Sequence, residues 1–362
     1  MEQTMDKNVT ILLVLKDRPH YTLRFLKYMD LLKSPYKILI ADGGRHPTIP
    51  QILQNKQNFP NLNYEYVRYP YDHSLDDFHE KMASVVQKID TPTVIAMDND
   101  DFILSEGIAK CLVVLKENNS YSSARGAIHR IDISHDIYGH MTLGKNMYTK
   151  YPNSIIEQTA ANRVREQTKR FHSNWHNVTR SNHFKTAWRM INVVKPQNMR
   201  FTEQLICYLN VLWGDGFRSD FFWLLHQQGQ RIEINGASLD SHFLDQEAWI
   251  KSDYWLEEFN KMTEAVAVAM SDLDGIPIEK SLEIFAETYP LKLPHLKSLL
   301  EVRIKEAVDL GYNTERIKKL FKIVKEHDIK NIEPIADISD GIPARQEIEF
   351  LTNYLIKIAR IS

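Results

Sequence analysis

Apolar positions in the first third of the chain fall into short dense runs separated by amphipathic stretches. Val9-Thr10-Ile11-Leu12-Leu13-Val14-Leu15 is β-branched and almost continuously apolar, the pattern of a strand buried on both faces. Lys16-Asp17-Arg18-Pro19 makes a turn, and His20 to Lys33 reads as a helix with Leu23, Leu26 and Leu31 as buried candidates. Tyr36 to Ala41 is a second strand, ending at Asp42-Gly43-Gly44. Strand, helix, strand is the parallel crossover unit. Asn63 to Tyr69 alternates weakly and suits an edge or third strand. Ser74-Leu75-Asp76-Asp77 has capping-box spacing, with Asp in place of the usual Glu. Phe78, Met82, Val85, Val86 and Ile89 then share one helical face. Thr93 to Met97 is a further buried strand, and a helix follows from about Ser105 to Asn118.

Beyond residue 120 the pattern loosens. Ala127 to Ile133 reads as a strand, and Tyr138 to Tyr151 as irregular chain rich in Gly and Tyr. Thr202 to Leu212 is helical; Gly214 to Asp220 leads into the apolar run Phe221-Phe222-Trp223-Leu224-Leu225, and Gln230 to Ile234 suits a strand. From Trp249 onward the chain is helical, punctuated by Pro277, Pro290, Pro294, Pro334 and Pro343. Ile348, Leu351, Leu355 and Ile358 give the last helix an apolar stripe suited to core packing, with docking on a membrane or partner helix as the alternative. The pattern implies an α/β fold: a mostly parallel, Rossmann-like sheet flanked by helices over residues 1–250, and a helical C-terminal region over 251–362.

Composition narrows the class without choosing the function. The 362 residues are 43% hydrophobic and 25% charged, with a net charge of −2, as in a soluble globular protein with no global bias toward nucleic acid. Cys111 and Cys207 are far apart in apolar surroundings, which suits core thiols in a reducing compartment. Glu2 and Asp6 break any basic-then-apolar leader, and no stretch approaches the roughly 20 apolar residues of a membrane span. The expectation is a cytoplasmic protein, with peripheral membrane contact and homo-oligomerisation both left open.

The chemistry concentrates where the strand Thr93-Val94-Ile95-Ala96-Met97 runs into Asp98-Asn99-Asp100-Asp101. In open α/β sheets ligands gather at the carboxyl ends of the strands. Three carboxylates so close together repel one another, and Mg²⁺ or Mn²⁺, with phosphate groups in train, would relieve that repulsion. The plainer alternative is an acidic turn capping the next helix. Between 161 and 200, nine Lys or Arg stand against one Glu, interleaved with Phe171, Trp175 and Trp188. That stretch is either a solvated face or a surface for an anionic ligand.

The early strand with its Arg-Pro turn, the second strand ending in Asp-Gly and the later strand ending in D-x-D-D resemble the family 2-type glycosyltransferases of the GT-A fold. The resemblance covers residues 8–120 in good order and 200–245 more loosely. It implies that Asp42 contacts the nucleoside, that Lys81 lies near the diphosphate, and that Asp98 and Asp100 hold ribose and a metal-bound diphosphate. His242 matches an additional metal-ligating histidine, and Asp220 stands where the family places its catalytic base, with Asp215 and Glu203 next in line. The chain departs from the family in reading Asp42-Gly43-Gly44-Arg45 where an Asp pair is usual, and in carrying Ser219 before Asp220. The implied activity is a metal-dependent, inverting transfer of sugar from a nucleotide-sugar donor, a UDP-sugar first, to a hydroxyl acceptor. Arg165, Arg170 and Arg180, with Trp175 as a stacking face, make that acceptor an anionic glycan or a lipid-linked one. Two rivals remain: a nucleotidyltransferase that makes sugar nucleotides, disfavoured because Val14 to Arg18 has no glycine for a phosphate loop, and a non-catalytic sugar-nucleotide-binding or scaffold protein.

Overall fold

The computed structural model describes residues 6–135, 141–143, 147–148, 153–228, 246–327, 329, 331–339 and 341–359. Strand β1 (Asp6–Leu15), helix α1 (Pro19–Leu31) and strand β2 (Tyr36–Asp42) form the first crossover. α1 buries Tyr21, Phe25, Tyr28 and Met29, one turn apart along a single stripe, and this phase leaves Leu31 exposed at 44%. After α2 (Thr48–Gln54) comes β3 (Tyr64–Arg68), and α3 (Leu75–Val85) starts from a capping box in which Ser74 and Asp77 satisfy each other's backbone N–H. β4 (Thr93–Met97), β5 (Phe102–Ile103) and α4 (Ser105–Glu117) follow.

The sheet runs β3-β2-β1-β4 in parallel, and this half has the register the apolar runs require, Leu12 lying beside Leu39 and Ala96. Its other half mixes directions. β6 (Tyr121–His135) bears two short antiparallel strands, β7 (Met141–Leu143) and β8 (Met147–Tyr148), where the sequence suggests irregular chain. After α5 (Ala160–Lys169), β9 (Val178–Arg180) inserts antiparallel between β4 and β6. Helices α6 (Ser181–Val194) and α7 (Met199–Leu212) cover one face, α7 starting at an Asn198 cap. β10 (Asp215–Gln228) then lies parallel to β6 and antiparallel to β5. The strand order and flanking helices make this a GT-A-type α/β fold with C-terminal helices.

Two cores lie on the two faces of the sheet, and the chain after residue 250 enters both. The helix α9 (Asp253–Asp274), preceded by α8 (Gln246–Lys251), packs Phe259, Met262, Val266 and Met270 against the α6–α7 layer. α10 (Ile278–Thr288), α11 (Lys297–Asp309) and α12 (Thr314–Glu326) close that core through Phe285, Leu300 and Leu320. The last helix, α13 (Ala344–Ala359), crosses to the opposite face and buries Leu351 and Leu355 beside Tyr28 and Phe102. Leu351 and Leu355 of its apolar stripe are therefore core, with Ile348 and Ile358 half-buried at the ends. No helix among the described residues is long and apolar enough to cross a membrane.

Candidate active site

A cleft of about 940 Å³ opens at the carboxyl ends of β1 and β4. The turn after β1 forms one wall, and it is strained: Asp17 and Arg18 hold φ of 56° and 58°, the left-handed region that side chains disfavour. That conformation turns Asp17 Oδ1 toward the backbone N–H groups of Arg45 (2.7 Å) and His46 (3.1 Å). It also lets Arg18 Nη2 reach Asp100 Oδ2 at 2.7 Å. Lys16, Arg18 and Arg45 bring positive charge to this wall. Lys81 lines the cleft from α3, nearly fully buried, donating to Asp72 and to the Leu15 carbonyl. Burial draws its ammonium below the ordinary lysine value, against the pull of Asp72. Gly43 makes room for this pair, since a Cβ there would strike the Asp72 carboxylate.

A second cavity, of about 330 Å³, meets the cleft at Asp98, Trp175, Met199 and His226. The mixed half of the sheet creates this junction. Because β9 runs antiparallel to β4, with Val94 opposite Thr179, the residues just before β9 lie beside those just after β4. His176 is thereby set against the end of β4, its Nδ1 2.9 Å from the Ala96 carbonyl. β10 pairs antiparallel with β5, Leu225 opposite Phe102, which brings His226 to Asp101. His226 Nδ1 donates to Asp101 at 3.0 Å from either carboxylate oxygen, and the Gln227 N–H adds a bond of 3.0 Å. That hydrogen bond raises the His226 pKa. On α7, Met199 and Glu203 are one turn apart and both face the second cavity.

Asp98, Asp101 and His176 place one ligand atom each within 4.8 Å of one another. The Ala96 carbonyl accepts from His176 Nδ1, which turns Nε2 toward Asp101 Oδ2 (3.4 Å) and Asp98 Oδ2 (3.7 Å). One imidazole nitrogen and two carboxylates converging within 4.8 Å are a donor set that fits a divalent metal, in place of a proton on Nε2. Burial, with Asp101 and Asp100 nearby, pushes the Asp98 carboxyl up to about 6, although half of its side chain opens to the cavities.

The residues singled out in the sequence divide into those that meet here and those that do not. Asp98, Asp100, Lys81 and Trp175 line the cleft. Asp42 does not: its carboxylate is taken up by the Gly44 N–H (2.8 Å), the Tyr66 hydroxyl (2.7 Å) and Arg68, so it shapes the loop after β2. Asp220 is exposed in the middle of β10, a strand rather than the approach to a helix, and lines neither cavity. Arg180 is buried, with its guanidinium bound to the carbonyls of Tyr121 and Leu115. Arg165 is exposed on α5, Arg170 lies beside Glu166, and neither reaches a cavity. Trp188 is core. His242 and the strand expected at Gln230 to Ile234 lie outside the described residues. Asp101 ends the D-x-D-D stretch, but His176 and His226 carry no local motif; only strand pairing brings them to it.

No protein-family model matches this sequence, and no curated protein sequence does. Solved structures do resemble it. One is Staphylococcus aureus TarS 1-349, at 13% identity and a TM-score of 0.48 over 90% of this chain and 89% of that one. The same fragment in complex with UDP-GlcNAc aligns at 12% identity and a TM-score of 0.49, with the same two coverages. A longer S. aureus TarS chain aligns at 13% identity and 0.48, with 54% of its length covered. The likeness is one of fold, at identities that transfer no residue's role.

Proposed function

We propose that this protein is a glycosyltransferase that moves a sugar from a nucleotide-sugar donor, UDP-sugars being the first to test, to a hydroxyl acceptor. One observation carries this reading. A cleft lined by cations and a second cavity lined by the Glu203 carboxylate meet at Asp98, beside a donor set suited to a divalent cation. Lys16, Arg18 and Arg45 are placed to bind a diphosphate, and Asp100 holds Arg18 in position. Asp98, Asp101 and His176 would hold Mn²⁺ or Mg²⁺, which when bound supplies positive charge against the departing nucleoside diphosphate. Trp175 lines both cavities and offers the transferred sugar a flat apolar face.

An acceptor hydroxyl is a weak nucleophile and needs a positioned base. Glu203 is the carboxylate suited to that work. The Glu203 side chain is exposed to the cavity, yet the protein mass around it and the charge of Asp98 raise its pKa to about 7, so near neutrality it can take the hydroxyl proton as the new glycosidic bond forms. With base and leaving group in different cavities on either side of Asp98, a single displacement inverts the anomeric centre. The test is calorimetry of UDP with and without Mn²⁺, paired with a donor-hydrolysis screen of nucleotide sugars. His176→Ala should abolish the Mn²⁺ dependence of UDP binding while leaving the fold intact. Mn²⁺-dependent binding of the same strength in that variant would remove the donor set from the site.

A further inference from the structure

The second cavity contains more positive charge than the capture of a hydroxyl needs. β6 contributes Arg125 and Arg130, and the chain after α5 contributes His172. The register of β6 on β10 places Arg130 beside His226 and Ile128 beside Leu224, so this wall is continuous with the junction at Asp98. Arg125 is 1% exposed and donates an Nη1 bond of 2.5 Å to the Ser173 carbonyl. Arg130 is exposed and faces the same space. Arg218 lies 8% exposed close by, donating to Gln167 Oε1 at 2.5 Å. Burial first, and then repulsion from Arg125, holds the guanidinium of Arg218 near about 9. Burial together with Arg125 and Arg218 drives His172 down to about 4. His172 is therefore neutral near pH 7, and the arginines carry the cationic character of this wall.

Two guanidinium groups on one cavity wall are more positive charge than recognition of a neutral hydroxyl uses. A guanidinium fork matches the oxygens of a phosphate or carboxylate in paired hydrogen bonds. We propose that the second cavity is an acceptor subsite for an anion, a phosphate or carboxylate carried close to the accepting hydroxyl, with Arg130 and Arg125 as its recognition groups. The anion sets the acceptor's orientation, and Glu203, on α7 across the same cavity, then faces the hydroxyl. This rests on the reading of the adjoining cleft as a sugar-transfer site. It relocates the anionic preference suggested by the basic stretch at 161–200 to two residues on β6.

Binding of glucose, glucose 6-phosphate and glucuronate to the full chain tests it, measured by calorimetry with and without saturating UDP and Mn²⁺. The two anions should bind at least about tenfold more tightly than glucose, the scale of one charged hydrogen bond. Their relative strengths distinguish phosphate from carboxylate, and both affinities should fall as salt rises. Arg130→Glu should lose that advantage, and Arg130→Lys should keep part of it. Unchanged UDP affinity shows that either variant is folded. Equal binding of glucose and the anions, or anion binding indifferent to Arg130→Glu, overturns the proposal. Failure of UDP to bind at all overturns the donor-site reading instead, since the anion arm is also read without UDP.

Discussion

Opposing influences meet at Glu203. Desolvation at the cavity wall, where its side chain is still exposed, and Asp98 raise its pKa, Lys292, His176 and Arg200 lower it, and the outcome is about 7. A base must be ionised to act, so transfer should climb with pH through about 7 and level off above it. Glu203→Gln should remove that climb and lower turnover by at least about 10²-fold with UDP affinity unchanged. A pH–rate profile of the two proteins decides the matter. Asp220→Asn should remain within a few-fold of the parent, because Asp220 stands exposed on β10 away from both cavities. A loss of about 10²-fold in that variant would restore Asp220 as the base and displace Glu203. Spacing makes Asp98 and Asp100 visible as candidates in the sequence. Nothing local separates Glu203 from any other acid near a helix start, since its character comes from what surrounds it.

At the scale of elements, two helices complete each other. α4 begins without a side-chain cap of its own. Glu347 of α13 supplies one, its carboxylate accepting the Ser105 N–H at 2.8 Å and the Tyr28 hydroxyl at 2.7 Å. In return Glu106, in the first turn of α4, accepts the Ala344 N–H at the start of α13. Each N-terminus has an orphan donor met by the other helix's carboxylate. Burial nevertheless outweighs these bonds and raises the Glu347 pKa to about 7, from an ordinary 4.5. The folded state thus binds this proton more tightly than the unfolded chain. The contribution is fully present below about pH 4.5 and is lost as pH rises through about 7, by at most about 3 kcal/mol. Glu347→Gln should flatten the stability profile between those limits, read by urea denaturation at a series of pH values. An unchanged slope would mean that Glu347 stays ionised throughout.

On the scale of the whole molecule, the chain after residue 250 is a structural partner of the sheet on both faces. Leu355→Ala should therefore cost about 2–5 kcal/mol, the range for a fully buried leucine, in a single cooperative denaturant transition. A separate early transition would instead mark α13 as an independently melting unit. The sequence by itself determined the parallel half of the sheet: apolar runs at Val9 to Leu15, Tyr36 to Ala41 and Thr93 to Met97, each followed by a turn and an amphipathic helix, leave little choice of topology. It also placed Asp98 and Asp100 at a strand's carboxyl end and Lys81 on the helix before it, because these positions depend only on local periodicity. Tertiary structure alone decided the rest. β9 and β10 are short or bulged strands whose neighbours lie tens of residues away, and periodicity carries no record of which strand a segment will pair with. Antiparallel pairing brought His176 and His226 to the acids, and folding buried Asp42 and Arg180 among partners of their own. Fully buried polar side chains must find partners, and the partners available to them are known only once the sheet has closed.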